Sequence, residues 1–198
     1  MIRRALPLLS MALPATGLLL ASAGQPTTGP TTAPAGELPP EQLDRARRPI
    51  SYFNDRCGSC HGNYGEFWGE GFAAELDDHE LRDIVDEMAA GPAQAPLEGA
   101  ALDVQIAYHR SLVNGRPFIT AYLHEGSLRG EVTPGSRVAL IIDGKEQPAT
   151  VEKHTWRSNA AKATAVRATK GKETTELKLD ATRGSAVAHS HAAKPSGE

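Results

Sequence analysis

Both cysteines of this 198-residue chain fall in one five-residue segment, Cys57-Gly58-Ser59-Cys60-His61. Two thiols three residues apart on one helical turn can each add across one of the two vinyl groups of a haem. The adjoining imidazole is then held beneath the iron and donates a ring nitrogen as the proximal ligand. Gly58 and Ser59 are small and let the backbone lie close to a porphyrin edge, and Gly62 permits a sharp exit from the turn. The chemistry therefore predicts thioether links at Cys57 and Cys60 and an iron bond at His61.

Three other readings of the pair fare worse. A thioredoxin-like redox pair wants a βαβ pattern before the motif, and the residues preceding Cys57 do not provide one. A structural zinc site needs four ligands, and no second cysteine pair exists, so histidines elsewhere in the chain would have to contribute. A disulfide between such close neighbours closes a very small loop and stabilises little.

The N-terminus speaks to the compartment. Arg3 and Arg4 precede an uncharged run from Ala5 to Leu20, and Ala21-Ser22-Ala23 follows. This is the layout of a secretory signal peptide over residues 1–23, cut after Ala23. The expected location is periplasmic or secreted, where covalent haem attachment takes place. No other apolar run is long enough to span a bilayer, so the mature chain is expected to lack an integral membrane domain. A net charge of −3 gives no basic excess of the kind that would suggest nucleic acid.

Residues 24–40 are Pro-, Thr- and Gly-rich and read as an extended linker. Residues 41–125 have helical periodicity, with 15 acidic and 7 basic residues, net −8. Pro49 can open a helix that sets Ile50, Phe53 and Cys57 on one face. Asp77 and Glu80 have capping-box spacing ahead of a stripe of Leu81, Ile84, Val85 and Met88. A third helix fits Leu102 to Val113. Residues 126–182 read as a small β-rich module, net +4 when counted with the tail at 183–198. There Arg137 to Ile142 is expected to pair with Ala149 to Lys153 across Asp143-Gly144, and Lys162 to Thr169 with Thr174 to Leu179.

Over residues 45–115 the chain resembles the class I monohaem c-type cytochromes. Phe53-Asn54-Asp55-Arg56-Cys57-Gly58-Ser59-Cys60-His61-Gly62 carries the resemblance, and Ala107-Tyr108-His109-Arg110-Ser111-Leu112 looks like that family's closing helix. The resemblance implies first and last helices that cross, one covalent haem c with its iron, and single-electron transfer. Added to the β-rich region, it predicts a mainly α cytochrome c-like domain followed by a small antiparallel β module, α+β overall. The net −8 would steer such a domain toward redox protein partners with a basic docking surface.

The chain departs from that family at the second axial ligand. The expected Met-Pro is absent, and alanine stands before Pro96. Met88, the only methionine after the signal, and His109, on the stripe Leu102/Ile106/His109/Val113, are the candidates, although core packing is the ordinary role of either. His124 and His154 could reach the iron only if the β module folded over the haem, and an open sixth site is a further reading. Six ligands would make an electron carrier with no catalytic residue. An open site would make a haem enzyme or sensor, peroxidase-like or gas-binding, with Arg110 or Arg116 as its cation. A third reading has the β module binding a partner or a polysaccharide, with Trp156 stacking on a sugar.

Overall fold

The computed structural model describes residues 38–69, 71–159, 162–179 and 188–189. The signal peptide, linker residues 24–37 and nearly all of the tail lie outside the described residues. The helices are α1 (Pro40–Arg47), α2 (Pro49–Arg56), α3 (Gly58–His61), α4 (Asp78–Ala90) and α5 (Ala100–Val113). A 3-10 turn at Asn63–Gly65 follows α3. None of them is long and apolar enough to cross a membrane.

Local chemistry explains the helix starts. Pro40 and Pro49 open α1 and α2, where a missing N–H costs nothing. Asp77 accepts the backbone N–H of His79 and Glu80, and Glu80 returns the bond to Asp77 N at 2.9 Å, completing the capping box of α4. Phe53, Ile50, Leu81, Val85, Val104 and Tyr108 form the helical core, with the Phe53 and Tyr108 rings edge to face at 5.7 Å. Phe118, just beyond α5, joins this core against Tyr108.

The strands are β1 (Thr120–His124), β2 (Ser127–Glu131), β3 (Arg137–Ile142), β4 (Lys145–Pro148), β5 (Thr150–Glu152), β6 (Thr155–Ser158), β7 (Ala165–Lys170), β8 (Glu173–Lys178) and β9 (Ala188–His189). They make two antiparallel sheets. One has the order β5-β6-β2-β1, with the two-residue β9 added at the β1 edge, and the other the order β4-β3-β7-β8. Asp143 and Gly144, both at positive φ, turn β3 into β4 as a primed hairpin turn requires. Leu128, Trp156 and Ala121 of the first sheet share one core with Val138, Leu140, Val166 and Ala168 of the second.

This architecture corrects the expected fold class. Among the described residues 36% are helical and 29% strand, so the strand-rich region is a large part of the molecule and not a small appendage to a mainly α domain. The first strand lies within the stretch taken for cytochrome-like helix, and the two sheets bury a core of their own. The partners of β3 are β4 and β7, not the expected Ala149–Lys153 segment, whose β5 pairs with β6 in the other sheet. Strand β5 forms within the expected Ala149–Lys153 segment, but β4 and β6 are four residues long and largely exposed, too short for an alternating pattern to declare itself.

Candidate functional site

The Cys57–His61 segment hangs on the end of α2. Cys57 N donates to Phe53 O, closing that helix, and His61 N donates to Cys57 O, winding the short α3. Gly62 then leaves at φ +75, where a Cβ would also press on the Phe67 ring at 3.1 Å. Both cysteines are free, Cys57 partly buried and Cys60 exposed. Burial, with Cys60 adding, pushes the Cys57 thiol up to about 11. A redox-active dithiol needs the opposite shift, so the environment disfavours that chemistry.

Cys57 and His61 open onto a cleft of ≈ 130 Å³ whose wall is almost wholly apolar. Met88 from α4 and His109 from α5 line the same cleft, so four of the five expected site residues meet there; Cys60 is not part of the wall. Ile84, Met88 and Phe72 stand on this wall 39–46% exposed, an apolar surface facing solvent where burial would be favoured. Gln105, also on the wall, has a buried Nε2 without a partner among the described residues. A flat apolar group carrying hydrogen-bond acceptors would cover the first feature and satisfy the second. A haem fits that description.

The two histidines of the cleft are prepared differently. The Trp68 indole N–H donates to His61 Nδ1 at 2.9 Å, which puts the ring proton of neutral His61 on Nε2. Ligating histidines almost always donate from the second nitrogen instead. To hold iron through Nε2, His61 must move that proton to Nδ1 and release Trp68. His109 already has the usual arrangement. Its Nδ1 lies 2.8 Å from Gln105 O, which can only accept, so Nε2 keeps its lone pair. Burial drops its pKa to about 4, with His61 adding and the Gln105 bond opposing, and the ring is neutral at pH 7.

Other expected roles go elsewhere. Arg110 is buried and bonded to Asp78 and to Leu76 O, so it cannot act as a distal cation. Arg116 lies 3.9 Å from Glu173 in β8. Trp156 is buried and donates to Thr120 O at 3.0 Å, which makes it a core residue and not a sugar platform.

Sequence reasoning missed one polar cluster altogether. The buried Glu131 carboxylate of β2 accepts Ile50 N at 2.6 Å, Ser51 N at 3.2 Å and the Ser51 hydroxyl. It thereby caps α2, whose own N-cap side chain makes no such bond. His154 Nε2 lies 3.1 Å from Ser51 Oγ and 3.6 Å from Glu131, and its Nδ1 lies 3.3 Å from the Tyr64 hydroxyl. A hydrolytic triad would place the acid on Nδ1. Here acid and serine share Nε2, so the cluster holds structure together. Ser51 lies 80 residues from Glu131 and 103 from His154 along the chain, so no local pattern could signal the cluster.

No family model, curated protein or solved structure matches the chain. Among the described residues no group of three or more His, Cys, Asp or Glu is arranged to hold a bare metal ion. A porphyrin brings its own four nitrogens, so a haem asks the chain only for axial ligands.

Proposed function

We propose that this chain is an exported electron carrier with one covalent haem c, tied through Cys57 and Cys60 and ligated by His61. What carries the reading is that Cys57 and His61, two members of the attachment motif, share one apolar cleft with Met88 and His109, the two candidates for the second axial ligand. When bound, the haem supplies a one-electron couple, and the protein sets its potential and its contact surface. His61 gives the proximal nitrogen once Trp68 has yielded Nδ1. Met88, half exposed, or His109, neutral with a free Nε2, gives the second ligand. Either would complete six coordination, which favours a carrier over an enzyme or sensor. The engagement of Arg110 with Asp78 points the same way. An acidic helical segment suits a redox partner with a basic docking surface.

The chain should be produced in a host able to mature c-type cytochromes. The expected result is a coloured protein, heavier than bare polypeptide by one haem, with the pyridine haemochrome spectrum of two thioethers. Colourless protein of polypeptide mass would overturn the proposal. Met88→Ala and His109→Ala should separate the ligands, since only the true ligand's loss converts the iron to high spin. Rapid, complete carbon monoxide binding to the reduced wild type would instead favour the open-site enzyme or sensor.

A further inference from the structure

A second cleft, of ≈ 260 Å³, lies where the α1–α2 junction meets the first sheet. It is unlike the first in being lined by arginines: Arg48 from the junction, Arg129 from β2 and Arg157 from β6. The register shows how they come together. Tyr122 pairs with Arg129, Arg129 with Arg157, and Arg157 with Thr150, so one row of side chains crosses four strands on a single face. Two like charges directly opposite each other on one sheet face repel and lower stability. Folding has nonetheless placed them there.

Little in the chain offsets that repulsion. The Arg129 side chain makes no ion pair or hydrogen bond among the described residues, and its Nε is buried without a partner. Beside the cleft, Arg47 lies over the Tyr122 ring at 5.0 Å, and its Nε too is buried and unpartnered. Arg48 and Arg157 reach carboxylates only at 3.8 Å (Asp44) and 3.7 Å (Glu152), beyond hydrogen-bond distance, and both are more than half exposed. Glu131 also lines the cleft, but its oxygens serve the N-terminus of α2. Glu152 is the other carboxylate on the wall. Positive charge is therefore in surplus, and buried guanidinium nitrogens go unused.

We infer that this cleft binds a small tetrahedral oxyanion of the phosphate or sulfate class, held between Arg129 and Arg157 with Arg48 at the rim. Guanidinium forks match the oxygens of such an anion two at a time, and a dianion neutralises the facing pair. Thr150, at the end of the row, offers a hydroxyl donor. The site is independent of the haem reading and stands or falls without it.

The test is titration calorimetry on the purified full chain with inorganic phosphate, then sulfate, at constant ionic strength, with sodium chloride and sodium acetate as reference salts. One phosphate or sulfate per chain is expected, with affinity falling tenfold or more in Arg129→Gln and in Arg157→Gln. Arg157 is 70% exposed, so its replacement should leave the fold intact, as far-UV circular dichroism would verify. No binding beyond that of chloride would overturn the inference. So would equal binding of acetate, or unchanged affinity in the folded Arg157→Gln protein.

Discussion

Glu131 tests whether burial or hydrogen bonding governs the joint between the first sheet and α2. Burial is the largest influence on this carboxyl and raises its pKa from 4.5 to about 7, against the lowering effect of the Ser51 and Ile50 bonds and of Arg48. At about 1.4 kcal/mol for each tenfold change in proton affinity, that difference corresponds to roughly 3 kcal/mol. Between the two values the unfolded chain has lost a proton that the folded chain keeps. Stability should therefore fall as pH rises from about 4.5 to 7, then level off. Glu131→Gln keeps the shape and cannot ionise. Its stability, from urea unfolding followed by circular dichroism at pH 4.5 to 8, should lie within about 1 kcal/mol of wild type at the acid end. It should then gain on wild type by roughly 3 kcal/mol by the alkaline end. His154, whose pKa is lowered chiefly by burial, has the opposite slope, losing stability as pH falls below its ordinary 6.5; because it lies 3.6 Å from Glu131 the comparison is made in a His154→Gln background, where it drops out. A gap that stays constant across the range would refute the reasoning. A gap opening the other way would mean that the hydrogen bonds to α2 outweigh burial.

Two further substitutions probe the elements on either side of that joint. A Cβ on Gly130 would sit 1.9 Å from Thr120 O and 2.8 Å from Trp156 Nε1, so Gly130→Ala must force β1 and β2 apart and break the Trp156 bond. Thermal unfolding should register a loss of about 3 kcal/mol or more, and a loss below about 1 would mean the two strands approach less closely than described. Asp77→Ala removes the capping box of α4 and should cost about 1 kcal/mol in denaturant unfolding, with no change in the α2–α3 segment. An unchanged midpoint would show that the cap contributes nothing.

Several features were legible in the residues because their causes are local. The capping box at Asp77 and Glu80, the prolines opening helices, and the Asp143-Gly144 turn each depend on a few consecutive side chains, and each forms where the pattern puts it. The short α1 escaped notice because its eight residues bury only Gln42 and Ala46, too few to make a stripe. Strands β4 and β6 escaped because four largely exposed residues do not alternate long enough to be seen, whereas β5 lies within the expected Ala149–Lys153 strand and only its partner differs.

The proposed haem attachment rests on five consecutive residues, since spacing along one helical turn is all that two thioethers and an imidazole would require. What stands beside them required the folded chain. Met88 and His109 share a cleft with His61 because α4 and α5 pack around Phe53, and Trp68 occupies Nδ1 of His61 through a contact seven residues downstream. The tertiary structure alone decided that a glutamate in β2 would cap α2, and that Arg129 and Arg157 would face each other. Strand register and helix docking are non-local: they follow from which apolar faces bury together, and a linear pattern does not record which distant polar groups that burial brings into contact.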